Sequence, residues 1–126
     1  MKNALFIVIL WAVAFSASAQ KQAANWYFGE NAGLQFDLDN KRVNVVRDGQ
    51  LNTREGCASI SDDRGNLLFY TDGVTIWNKN HDIMPNGTGL HGDSSSAQSG
   101  IIVPNPEDPN IYYVFTVDNF IGICKN

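Results

Sequence analysis

The chain has 126 residues, 44% of them hydrophobic and 17% charged, a composition that fits one folded domain and excludes a disordered segment. Its formal net charge is -4, from 9 Lys+Arg against 13 Asp+Glu, so it offers no basic footprint for nucleic acid or anionic lipid. Two cysteines exclude a disulfide-dense scaffold and a zinc site of four thiolates.

Residues 1–19 read as a secretory signal peptide. Lys2 supplies the positive start, Ala4 to Phe15 is an uncharged apolar run, and Ala17-Ser18-Ala19 is a small-x-small site with cleavage before Gln20. The apolar run is shorter than the about 20 residues that a bilayer core requires. The mature region, residues 20–126, is expected to cross the inner membrane and to reside in the periplasm, in the medium or on the cell surface. The export machinery is its first expected partner, and no membrane span remains after cleavage. Export would also put Cys57 and Cys124 where a disulfide is stable, although nothing in the sequence fixes their geometry. Cys57 itself reads as a small buried apolar residue.

Past Gln20 short β-prone runs alternate with turn signals, which predicts all-β structure. The runs are Asn25 to Phe28, Leu34 to Asp37, Arg42 to Val46 and Cys57 to Ser61. Leu67 to Thr71 and Val74 to Trp77 flank Asp72-Gly73, a pair suited to a type I′ hairpin turn. Asp82-Ile83-Met84 follows, with Pro85-Asn86-Gly87 as a breaker. Gly100 to Val103 and Ile111 to Thr116 form a last pair, joined by the Pro-rich stretch from Pro104 to Asn110.

These runs repeat. Tyr27-Phe28-Gly29, Phe69-Tyr70-Thr71 and Val114-Phe115-Thr116 recur at steps of about 42 and 45 residues, and Ser59-Ile60-Ser61 recurs as Ile101-Ile102-Val103. Four-stranded propeller blades have periods of about 40 to 50 residues. The expected fold is therefore an incomplete β-propeller of two to three blades, preferred over a β-sandwich. A closed ring needs at least about four blades, so residues 20–126 are expected to be a truncated part of a longer protein.

The runs Asn25-Trp26-Tyr27-Phe28-Gly29-Glu30-Asn31-Ala32-Gly33-Leu34, Glu55-Gly56-Cys57-Ala58-Ser59-Ile60-Ser61-Asp62 and Gly65-Asn66-Leu67-Leu68-Phe69-Tyr70-Thr71-Asp72-Gly73 resemble a group of exported Bacteroidetes proteins. Trp77-Asn78-Lys79-Asn80-His81, Met84-Pro85-Asn86-Gly87 and Gln98-Ser99-Gly100-Ile101-Ile102-Val103-Pro104 extend the resemblance over about residues 25 to 118. Such proteins carry propeller-like N-terminal regions, often adhesion-type repeats, and a gliding-motility-associated C-terminal domain read by the type IX secretion system. The resemblance implies a cell-surface protein with extracellular proteins or glycans as partners. It implies no catalytic residue, and this chain departs from the pattern after Asp118.

Candidate sites are sparse. Ser61-Asp62-Asp63-Arg64-Gly65-Asn66-Leu67-Leu68 approaches the Asp-box of sialidase-like propellers, with Leu68 where that motif has Trp. It reads as a turn stabiliser. Its oxygens lack the spacing of a calcium loop. Glu30, Glu55, Asp72 and Asp82 are the acids available for a glycosidase pair, which needs two carboxyls about 5 to 10 Å apart. His81 and His91 read as exposed loop residues without zinc partners. Ser94-Ser95-Ser96 lacks a nucleophile elbow, and Asn86-Gly87-Thr88 forms a glycosylation sequon. No residue is assigned as catalytic, cofactor-binding or metal-binding. The function expected is that of a non-enzymatic exported structural or binding module. The alternatives are a carbohydrate-active hydrolase fragment and a remnant of a longer gene.

Overall fold

The structure is a computed structural model and describes residues 21–118. The signal-peptide reading and the Cys124 half of any bridge lie outside the described residues. Within them the fold is all-β. A single 3-10 turn, Lys21–Ala23, precedes nine strands in three antiparallel sheets. The first sheet is β1 (Asn25–Phe28), β2 (Ala32–Asp37) and β3 (Arg42–Val46). The second is β4 (Ala58–Ser61), β5 (Leu67–Thr71), β6 (Thr75–Asn78) and β7 (Ile83–Thr88). The third is the hairpin β8 (Gly100–Pro104) and β9 (Tyr112–Thr116). Each sheet is an open meander with neighbours in chain order.

Register decides which side chains share a face, because successive residues of a strand point to opposite sides. In the first sheet Tyr27 pairs with Gly33 and Gly33 with Val46, so these share one face. Trp26, Leu34 and Val45 share the other. In the second sheet Ser59, Tyr70 and Trp77 share one face, while Ile60, Phe69 and Asn78 share its reverse. Tyr27, Leu51, Tyr70 and Trp77 form the buried core, with Val46, Cys57 and Leu67 packed against it. The first sheet therefore lies on the Tyr70 face of the second. On the reverse face, Phe69 meets Tyr112 edge-on, with ring centroids 5.5 Å apart. The third sheet lies there, so the second sheet is sandwiched between the other two.

The first strands of the sheets run side by side, β1 beside β4 and β4 beside β8. Polar groups hold the β1–β4 joint. Asn25, buried, donates from Nδ2 to Ser61 Oγ at 3.0 Å and to the Gly65 carbonyl at 2.8 Å. Ser59 Oγ donates to the Asn25 carbonyl at 2.7 Å. Such desolvated pairs align the sheets, since each group would be costly to leave unpaired.

The repeat is visible at the level of strands: its aromatic runs fall on β1, β5 and β9, and its second pair on β4 and β8. The spacing slips by one residue at the last step. Phe69 faces forward to the third sheet, whereas Val114, paired with Ile102, sits on the same side as Tyr112 and faces back. A one-residue slip reverses every side chain.

Two turn readings change. Asp72-Gly73 is not a type I′ turn, because Gly73 has φ +86° and Asp72 is not among the positive-φ residues. Asp72 Oδ1 instead accepts from the Val74 and Thr75 amides at 2.8 and 2.7 Å, and Thr71 Oγ1 accepts from the Gly73 amide. Pro85-Asn86-Gly87 does not break a strand but lies inside β7. β7 is the outer edge of its sheet, where Pro removes no ladder bond, and its register against β6 shifts between Thr75 and Trp77. Asn86, at φ 58°, takes up a left-handed bend there.

Candidate functional site

The densest group of ionisable and aromatic side chains lies where the first two sheets meet. Tyr70 is fully buried and stacks between Tyr27, 4.6 Å away, and Trp77, 5.6 Å away, with interplanar angles of 15° and 14°. β5 and β6 place Tyr70 opposite Trp77, and β1 brings Tyr27 across from the first sheet. His81 enters from the tight turn after β6 with φ 67°, its ring 5.5 Å from Tyr27 and 5.8 Å from Tyr70.

The polar ends of these rings join in one circuit of hydrogen bonds that runs from Gln50 to Tyr27. The Gln50 amide donates to the Tyr70 hydroxyl at 3.0 Å. That hydroxyl is also hydrogen-bonded to His81 Nδ1, at 3.0 Å. His81 Nε2 faces Asp48 Oδ2 at 3.5 Å. Asp48 Oδ1 accepts from the Tyr27 hydroxyl at 3.0 Å. His81 is thus partly buried and bonded, not an exposed loop residue. His91 is exposed.

The chemistry of this circuit is holding rather than attacking. Burial, reinforced by the Asp48 hydrogen bond and charge, pushes the Tyr27 phenol far above its ordinary value. Burial, with Asp48 adding to it, raises Tyr70 as well. Both shifts favour the neutral phenol over the phenolate. A raised phenol stabilises the fold fully below about pH 10, and that contribution is lost as pH climbs toward the folded value. In an alkaline titration, two of the 4 tyrosines should ionise only as near-UV circular dichroism disappears. Smooth ionisation of all 4 with the fold intact would contradict this packing.

The candidate acids divide. Asp62, not Asp63, makes the Asp-box-like turn. Its Oδ1 accepts from the Arg64 and Asn66 amides at 2.9 and 2.8 Å, and its Oδ2 from Asn66 Nδ2 at 2.9 Å. Those bonds, the Asn66 side chain foremost, hold its carboxyl below the usual range. Ser61 does not join the turn; its hydroxyl accepts from Asn25. Asp37, through Asn40, and Asp93, through Ser95, are lowered in the same manner. Asp72 serves its own turn, and Asp82 is exposed.

Glu30 and Glu55 meet at one place. With Arg54, Thr53 and Ser94 they line an open cleft of about 720 Å³ between the β1–β2 turn and the loop before β4. Glu30 stands there at φ 60°, followed by Asn31 at the same angle, in a left-handed turn closed from the Ala32 amide to the Gly29 carbonyl. Among the described residues no three His, Cys, Asp or Glu side chains gather as a metal site. Cys57 is half-buried, and burial first, then the Asp72 charge, raises its thiol. A comparison of the chain with protein families, curated proteins and solved structures finds no match.

Sequence reasoning missed the circuit of Tyr27, Asp48, Tyr70 and His81. Its members are scattered over more than fifty positions, and no local motif joins them. The one signal was Tyr27 and Tyr70 in equivalent runs of the repeat.

Proposed function

We propose that the chain is an exported, non-enzymatic β-propeller segment that serves as a structural or binding module of a bacterial surface protein. The observation that carries this reading is the face-on stacking of three meandering antiparallel sheets, of which the second and third repeat the sequence pattern strand for strand, β4 with β8 and β5 with β9. The four-stranded second sheet has the strand number of a blade. The first strands β1, β4 and β8 run together, as inner strands do around a propeller axis. The resemblance of residues 25–118 to exported Bacteroidetes surface proteins supplies the location and the partner class, extracellular protein or glycan. The use of Asp37, Asp62, Asp72 and Asp93 as turn formers supports a module without catalysis.

One observation favours a second reading, a carbohydrate-active hydrolase: Glu30 and Glu55 share a cleft. A single experiment separates the two. The whole chain is expressed in a Bacteroidetes host, its N-terminus is sequenced, and the envelope fraction is assayed for glycan binding and glycoside cleavage. The module reading expects an N-terminus at Gln20 and binding without turnover. A full-length chain in the cytosol would refute export. Cleavage abolished by Glu30→Gln and by Glu55→Gln would establish the hydrolase.

A further inference from the structure

Two apolar sheet faces remain uncovered among the described residues, and they lie at opposite ends of the stack. On the first sheet, the face turned from the second carries Trp26 at 49% exposure, Val43 at 56% and Val45 at 71%. On the third sheet, the face turned from the second carries Ile101, Val103, Tyr113 and Phe115, with Phe115 at 58%. Apolar groups gathered at this density mark a contact surface rather than scattered surface residues.

The two internal joints show what each face fits. Every sheet has a forward and a backward face. The forward face of the first sheet, with Tyr27, meets the backward face of the second, with Tyr70 and Trp77. The forward face of the second sheet, with Phe69, meets the backward face of the third, with Tyr112. What is left is the forward face of the third sheet and the backward face of the first. These are the two halves of one more joint of the same kind, and the chain carries both.

We propose that the occupant is a second copy of this chain, stacked head to tail, with the Phe115 face of one copy against the Val45 face of the next. Neither half is complementary to itself: both internal joints pair a forward face with a backward one. The contact is therefore heterologous, and it propagates into a ring or a filament instead of stopping at a two-fold dimer. The proposal does not depend on export or on the ligand class. It rests on the sheet-on-sheet stacking alone.

The test is sedimentation velocity of the full chain over a concentration series, with Val45→Lys and Phe115→Lys as variants. Both positions are exposed, so each Lys keeps its ammonium in water and the fold survives, which matching far-UV circular dichroism checks. Wild type is expected to form species larger than a dimer. Each variant alone keeps one intact half, which finds no complement, and should sediment as a monomer. An equimolar mixture regains one intact joint, Phe115 face of the first variant against Val45 face of the second, and should stop at the dimer. Monomeric wild type overturns the proposal. So does either variant that still assembles alone, since association would then run through another surface such as the apolar residues 4–15. A mixture that stays monomeric overturns the head-to-tail pairing.

Discussion

Tyr70→Ala should cost about 3 to 5 kcal/mol, the range for deleting a buried aromatic ring, and Tyr70→Phe about 1 to 3. The ring is fully buried and stacked on both sides, so truncation opens a cavity between Tyr27 and Trp77 and removes the contact joining the first two sheets. A domain of this size is stable by only about 5 to 15 kcal/mol, so the Ala variant sits near the edge of folding. The Phe variant isolates the hydroxyl. It keeps the stacking but leaves the Gln50 amide and His81 Nδ1 without their partner. Urea denaturation by fluorescence gives both values, with the m-value checking that the unfolding unit is unchanged. A Tyr70→Phe midpoint equal to wild type would mean that the circuit to Asp48 has no weight in stability. His81→Ala combined with Tyr70→Phe should then be tested as a cycle. Coupling is expected, because both changes remove one shared bond.

How much of this arrangement could be read from the sequence follows from the range of each interaction. Strands were legible because their signals are local. Asn25 to Phe28, Arg42 to Val46 and Leu67 to Thr71 coincide with β1, β3 and β5. A turn over residues 61–66 was legible for the same reason, donor and acceptor lying within four residues, but the motif points to Ser61 and Asp63 where the structure uses Asp62. The sheet joints were not, since Asn25 reaches Ser61 across 36 positions and Tyr27 reaches Asp48 across 21. In the sequence His81 reads as exposed, because its position depends on a left-handed backbone and on two tyrosines from other strands. Pro85-Asn86-Gly87 reads as a breaker because composition does not reveal that β7 is an edge strand. The repeat located equivalent strands in the second and third sheets, but it matched β1, the first strand of its sheet, to β5, the second of its own, and it lost one residue at Val114, where matching short aromatic motifs cannot detect a change of face. The acids were legible as candidates only. Folding gave Asp72 to a turn and brought Glu30 and Glu55 to one cleft, a distinction that pairwise spacing does not hold.

The joint between the second and third sheets turns on Gly73, and Gly73→Ala should destabilise the protein by about 2 to 5 kcal/mol. Two independent penalties add. At φ +86° an L-residue pays roughly 1 to 2 kcal/mol for the left-handed conformation. A methyl group there would also overlap the Ser99 hydroxyl and carbonyl oxygen and stand 2.7 Å from its carbonyl carbon, and overpacking of this kind costs about 1 to 3 kcal/mol. Ser99 cannot retreat cheaply. It is fully buried, its carbonyl accepts from the Val117 amide at the end of the β8–β9 hairpin, and its hydroxyl accepts from the Asp93 amide. Gly92 closes the same spot by donating its amide to the Gly73 carbonyl. Gly89→Ala is the internal control. Gly89 has φ +75° but open space where its Cβ would be, so it bears the conformational penalty without the overlap. The difference between the two variants in urea measures the packing of the third sheet on the second. Hydrogen exchange should locate it: in Gly73→Ala the amides of β8 and β9 lose protection while those of β1, β2 and β5 retain it. Equal costs for the two glycines would mean that the third sheet is not seated on Gly73 at all. Equal loss of protection across all three sheets would mean that the stack opens as one cooperative unit.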